Sequence, residues 1–593
     1  MMKSATAAAF PRSSFGAAPP AWILIRRLED HDAARRREAA LRLIVREAGL
    51  AEQVAQDGLL IASSHERVSV ADDVVLIGDV FGRRGGVDMS PPRGDPADHA
   101  AWLVENRWGR YAAVFLGGTG PSLMRDPMGM MPLHGLEIDG VLVAAPDVPP
   151  WLRTMGTALR VDQTALAHAL AHPPLLTWAP VLTGVRTLTP GVLHSRHAKG
   201  WNETVIWHPA RFVSNAGEDA ETLKRRLADR VDMCVAAWAA RYPAPHLELS
   251  GGLDSAIVLS SLARAGLTPS ATNFTTGYEG GDERRFARPL AERYGIRLQA
   301  HDARAAAIDY ARLAGDVPGA APQLHGLDPV HEQVIADHAG AAGASAILTG
   351  QGGDAVFFQM PSLGIAADLA VANGLAAFRD PLVLDLAART ARSAGRVLGV
   401  MLRERLIGTP VGRDTFDRRL LGSAVLDVLE PERLRHPWLA GLGALPPGKR
   451  VQLEAIANCQ LFFTPVRRGI DRPLIHPLLS QPIVELCLSI PTWQLAPDIR
   501  DRGLARDAFR ARLPEALLAR RRKGEASTYY NRAIAENLPF LRDYLLGGRL
   551  AEMGLLDKTR LETALDADRM MHVDETRPVP LYVSFEAWLR RQG

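Results

Sequence analysis

Cysteine is scarce: Cys234, Cys459 and Cys487 are the only three in 593 residues. They lack the close spacing that a structural zinc site or a disulfide framework needs. Such usage suits a reducing cytoplasm, with each thiol serving as a small buried apolar group. No uninterrupted apolar run reaches the roughly 20 residues of a membrane-spanning helix. The net charge is only +3, and no dense lysine and arginine run is interleaved with aromatics, so neither membrane nor nucleic acid is expected as a partner. The opening residues, Lys3 and an alanine-rich patch, are interrupted by Pro11 and Arg12. That is too short an apolar stretch for a signal peptide, so 1–21 is expected to be a flexible leader. What remains is 47% hydrophobic and 23% charged, a globular composition in a chain too long for one core.

The most informative stretch is His246 to Gly266, HLELSGGLDSAIVLSSLARAG. An apolar run ending at Leu249 reads as a buried strand, Gly251 and Gly252 as a tight turn, and Ala256 to Ala265 as a helix. A glycine loop between a strand and a helix N-terminus offers free backbone N–H groups and the helix dipole to an anion, so Ser250, Gly251, Gly252, Leu253, Asp254 and Ser255 form a candidate phosphate cradle. No lysine follows as in GxxxxGK[ST], and the string is not GxGxxG.

Upstream, from Trp22 to about Ala145, short apolar strands alternate with glycine turns, which predicts stacked antiparallel sheets. Asp32 to Gly49 reads as a helix. From Glu221 the period becomes helical, and strands at TPSATNFTTGY, IRLQAHD and SAILTG alternate with helices. That pattern predicts a parallel, doubly wound sheet with ligands at the carboxyl ends of its strands. SAILTG runs into Gly350-Gln351-Gly352-Gly353-Asp354, and beyond it the chain is mostly helical. Two carboxylates, Asp254 and Asp354, on neighbouring loops beside a phosphate cradle are the set that Mg²⁺ uses along with phosphate oxygens and water.

The SGGxDS loop resembles the pyrophosphate loop of ATP pyrophosphatases. Together with GxGGD, and with RDxxGxxPL at Arg125 to Leu133, it resembles the asparagine synthetase family over roughly residues 22 to 590. Gly78-Asp79-Val80-Phe81 and Trp108-Gly109-Arg110-Tyr111 add to the likeness. The resemblance implies an αββα glutaminase-like domain at 22–212 and an ATP-dependent amide-forming domain at 219–593. It also implies ATP and Mg²⁺ as cofactors. Ser250 to Ser255, Thr276, Gly350, Gly352 and Gly353 would hold the nucleotide, and Asp254 and Asp354 the metal. Lys523, in the run Arg520 to Lys523, would meet the charge developing on the α-phosphate.

Three departures matter. The family's glutaminase uses an N-terminal cysteine as nucleophile, whereas this sequence begins Met1-Met2-Lys3, so the first domain is expected to be inactive. Gln351 stands where the family carries a glutamate or tyrosine, which leaves the base for the amine open, and Ser480 stands where it has an aspartate. GQGGDAVF looks like the lasso peptide cyclase version of the loop. That resemblance implies closure of a core peptide by its own N-terminal amine, with a leader peptidase and a leader-binding protein as partners. A β-lactam-forming synthetase, an ammonia-fed asparagine synthetase and a silent scaffold are the alternatives.

Overall fold

The computed structural model describes residues 21–592 apart from 65–66, 72, 84–93, 118–119, 149–151, 153–158, 215, 277–281, 316–318, 320, 360–362, 407–417, 521–526 and 567–576. The flexible leader expected at 1–21 thus lies, but for Ala21, outside the described residues.

The first half carries two six-stranded antiparallel sheets. One has the order β10-β8-β9-β1-β3-β2, formed by Val185–Thr187, His134–Ile138, Val141–Ala145, Trp22–Arg27, Leu59–Ser63 and Ala51–Gln56. The other runs β12-β11-β7-β6-β5-β4, formed by Gly200–Val205, Val192–His197, Ser122–Arg125, Arg107–Phe115, Val74–Gly82 and Val68–Ala71. Strand side chains alternate faces, and both faces here are apolar. In β1, Trp22 and Leu24 meet Ile77, Ala112 and Val114 between the sheets. Ile23 and Ile25 face outward onto Ala34, Leu41 and Val45 of the helix Asp32–Glu47. Tyr111, Ala113 and Phe115 of β6 likewise cluster with Leu103 and Val104 of the helix Pro96–Asn106 and with residues of Ala220–Arg241. Helix layers therefore cover both outer faces, giving the αββα arrangement that the family resemblance implies.

The second half is built on a five-stranded, wholly parallel sheet of order β15-β14-β13-β16-β17. Its strands are β13 Pro245–Glu248, β14 Ser270–Thr275, β15 Leu298–Asp302, β16 Ala346–Leu348 and β17 Leu474–Ile475. The order reverses between β13 and β16, and at such a switch point the loops diverge and leave a crevice. β17 is not legible in the sequence. It is two residues long and bracketed by Pro473 and Pro477, which rule out a longer strand.

Apolar clusters run through both halves, so they share cores. Phe81 and Trp108 lie 4.7 Å apart, and each packs on Trp238 of the helix Ala220–Arg241, at 4.7 and 5.9 Å. Buried Asp79 takes a 2.6 Å hydrogen bond from Tyr242 Oη and pairs with Arg241. Glu485 accepts at 2.8 Å from Arg83 Nη2, Trp207 Nε1 and Gln481 Nε2. Losing one partner of such a buried charge leaves the other uncompensated, at about 3–5 kcal/mol. No helix among the described residues is long and apolar enough to cross a membrane.

Burial holds several histidines neutral: His246 and His476 are pushed down to about 4, and His325 and His436 to about 3. In the unfolded chain they titrate near 6.5, so between pH 6.5 and 4 the unfolded state binds protons the folded state refuses. Their contribution is complete above pH 6.5 and is lost as pH falls. Burial raises Asp126 to about 6, and Asp368 also upward, which acts in the opposite sense but through fewer groups. The urea midpoint should therefore drop between pH 7.5 and 5, and His436→Gln should flatten that slope. A midpoint independent of pH would contradict this account.

Candidate active site

A cavity of about 800 Å³ opens at the switch point, lined by both glycine loops and by residues 499–502. The first loop leaves β13 at Leu249 and turns at Gly251, whose φ of +75° is left-handed. A Cβ there would also lie 2.7 Å from the Glu283 carbonyl oxygen, so only glycine fits. The helix begins at Leu253, three residues earlier than the sequence pattern suggests, and runs to Arg264. Gly252 sits at its N-cap and supplies no side-chain cap, so Leu253, Asp254 and Ser255 form a first turn whose N–H groups face the cavity edge without a capping side chain. Ser250 Oγ accepts from Gly252 N at 3.3 Å and lies 3.2 Å from Ser255 Oγ, closing the loop on itself.

The second loop leaves β16 and touches the first. A Cβ on Gly350 would sit 2.4 Å from Ser255 N, and one on Gly353 2.6 Å from Asp254 Cγ. Gly352, at φ +84°, lies against Leu479, where a Cβ would come within 2.4 Å. Asp254 and Asp354 both line the cavity, as do Ser250, Gly252, Leu253, Ser255, Gly350, Gln351 and Gly352. Gly251 and Gly353 stand behind that lining. Thr276, just beyond β14, lies outside it, with its buried hydroxyl unpartnered. Ser480 is wholly buried and accepts from Trp238 Nε1 at 3.0 Å, so it belongs to the packing of the two halves. Lys523 lies outside the described residues.

Several site residues escaped the sequence pattern. Arg502 Nη1 meets Asp254 Oδ2 at 2.7 Å and Nη2 meets Asp501 Oδ2 at 3.0 Å. Burial opposes its charge, but Asp254, Asp501 and Asp354 together raise its pKa. Arg502 (φ +51°), Ile499 (+51°), Asp498 (+54°) and Phe358 (+64°) are four of the six described non-glycine residues with positive φ, and Arg502 and Ile499 line the cavity. Glu248 ends β13 in the lining and pairs with Arg468 Nε at 2.8 Å. Burial would raise its carboxyl, yet Arg468, with His331 and His476, holds it below the usual range. Arg520 donates to the Gly251 carbonyl at 3.0 Å, pairs with Glu283 and lies 4.5 Å over the Phe286 ring. It thereby fastens the start of the basic run to the first loop.

The donor set suits a polyphosphate: an uncapped helix turn, arginines 389, 500, 502, 506, 510 and 520, and two carboxylates on touching loops. Among the described residues no group of three or more metal-ligating side chains occurs, so a divalent ion here would need ligands from its substrate as well.

The asparagine synthase family model matches residues 226–409 and 473–590, half of the chain. No curated protein matches. Among solved structures, one described as the allosteric regulatory enzyme of purine biosynthesis is 10% identical, with 56% of this chain and 83% of that one covered and a TM-score of 0.18. The glutamine phosphoribosylpyrophosphate amidotransferase of B. subtilis, complexed with ADP and GMP, is also 10% identical, with 49% and 76% covered and a TM-score of 0.15.

The loop contact makes a sharp expectation. Gly350→Ala should destabilise the chain by about 1–3 kcal/mol through overpacking. Gly443→Ala, where nothing lies within 4 Å of the added Cβ, should leave the thermal midpoint nearly unchanged. Equal midpoints for the two variants would refute the contact.

Proposed function

The chain belongs to the asparagine synthase family, an ATP-dependent carbon–nitrogen ligase by that membership, and we propose that it closes a peptide ring by joining a side-chain carboxylate to the same peptide's N-terminal amine. One carboxylate oxygen attacks the α-phosphorus of ATP and pyrophosphate leaves. The amine then attacks the acyl carbon, loses a proton and expels AMP.

The observation that supports this reading is that no cysteine is placed to release ammonia from glutamine, which favours an amine carried by the substrate. All three cysteines are buried, and burial pushes each thiol up, Cys487 to about 12, so none is poised as a glutaminase nucleophile. Asp79, in the segment that resembles a glutaminase, is instead consumed by Arg241 and Tyr242. We take residues 22–212 as a glutaminase-like scaffold without ammonia production, joined to a synthetase unit at 219–593. A precursor peptide, a leader peptidase and a leader-binding protein are the partners this activity calls for.

Ser250 to Ser255, Gly350, Gly352 and Gly353 would cradle the phosphates, with Thr276 near the nucleoside. Asp254 and Asp354 would hold Mg²⁺, which when bound neutralises the charge of the polyphosphate. Arg502 pairs with Asp254, and its guanidinium would be a fixed cation for the departing pyrophosphate. Lys523 would stabilise the charge that develops at the α-phosphorus and in the tetrahedral acyl intermediate. Gln351 has no proton-accepting carboxylate, so its role at the amine is to orient it by hydrogen bonding.

Incubation with ATP and a linear peptide carrying a free N-terminal amine and an internal aspartate or glutamate should release pyrophosphate and give a product lighter by one water. Asp254→Asn and Asp354→Asn should each lower kcat by about 10²–10³-fold. Lys523→Ala should bind ATP and lose kcat far more than it raises KM, with Lys523→Arg a poor rescue. Pyrophosphate release with aspartate and ammonia, and none with any peptide, would overturn the proposal.

A further inference from the structure

A second cavity, about 60 Å³, lies away from the active site where the two halves meet, lined among others by Arg125, His134, Thr177 and Gln460. Arg125 is 3% exposed and comes from the RDxxGxxPL turn of the first half; Gln460 is 3% exposed and comes from the second. Arg125 spends Nη2 on the Thr177 carbonyl at 2.8 Å, while its Nε–H has no acceptor. No carboxylate lies within ion-pair distance of it among the described residues. Its neighbour Asp126 is turned away and accepts from the amides of Met128, Met130 and Met131 at 3.1, 3.0 and 2.8 Å. Asp147 also lines the cavity, with one oxygen on the Val148 amide, but makes no ion pair with Arg125.

The orientation of Gln460 follows from its neighbour. His436 Nδ1 accepts from the Trp438 amide at 3.1 Å, so its proton is on Nε2 and donates to Gln460 Oε1 at 3.1 Å. The Gln460 amide nitrogen therefore points the other way, and it has no partner. Two buried donors line one cavity, and both lack an acceptor. Asp126 acts on Arg125 only through space, and a buried arginine without a hydrogen-bonded carboxylate is expensive. A water needs on the order of 10–15 Å³, so the space takes one small anion or a few waters.

We propose that this cavity binds a small monovalent anion of halide size between Arg125 Nε and Gln460 Nε2, pinning the first half to the second. The anion supplies a hydrogen-bonded counter-charge at Arg125, beyond the through-space attraction of the neighbouring Asp126 carboxylate. Because both donors are fixed in place before the anion arrives, little order is lost on binding.

Crystals of the full chain grown in sodium bromide test it. An anomalous peak is expected within hydrogen-bond distance of both nitrogens. In solution at constant ionic strength, replacing fluoride by bromide should raise Tm saturably. Gln460→Leu should abolish that rise. Gln460→Glu, which installs a carboxylate opposite Arg125, should make Tm independent of bromide, and it keeps the test available if the leucine variant fails to fold. Only water in the cavity, bridging Arg125 to Asp147, would overturn the proposal. So would a bromide-dependent rise that survives in Gln460→Glu.

Discussion

Everything at the candidate active site depends on the contact between two backbone turns. Strands β13 and β16 are neighbours whose following loops diverge, and the crevice between them is useful only if the loops first touch and then part. Gly350 against the Ser255 amide and Gly353 against the Asp254 carboxylate make that touch, at distances no side chain could share. The glycines therefore do two things at once. They let the backbone approach an anion, and they set how far apart Asp254 and Asp354 can be, since each aspartate is adjacent to a residue in the contact.

A second constraint is that neither half closes its own core. The aromatic group of Phe81, Trp108 and Trp238 crosses from one half to the other, as do the Asp79 and Glu485 hydrogen-bond clusters. Buried carboxylates with every oxygen engaged are rigid in direction, because any shift leaves an acceptor unpaired in a low-dielectric setting. The antiparallel sheets thus act as a fixed platform under the helix Ala220–Arg241, which leads directly into β13.

Much of this was legible in the sequence, and where it was not the reason is physical. SGGLDS and GQGGD stand out because glycine is required where φ is positive or backbones touch, and such positions leave a mark on composition. The many short apolar strands with glycine turns between Trp22 and Ala145 pointed to stacked antiparallel sheets for a similar reason. Arg502, Glu248 and Arg468 left no mark. Their meaning comes from partners over 200 residues away in sequence, as Arg502 does with Asp254 and Arg468 with Glu248. Left-handed Ile499 and Arg502 are likewise invisible, since nothing in a β-branched or a long cationic residue announces that conformation. The helix start was placed too late because a glycine N-cap lacks the serine, threonine or aspartate signal that usually marks one.

The left-handed run at the cavity wall has a consequence for how this protein can change. Strain held at Asp498, Ile499 and Arg502 is a standing cost that glycine would relieve at any of the three. A lineage selected for robustness alone would drift that way. Each relief, however, would free the segment whose rigidity aims a guanidinium at Asp254. Stability and aim are thus opposed within five residues.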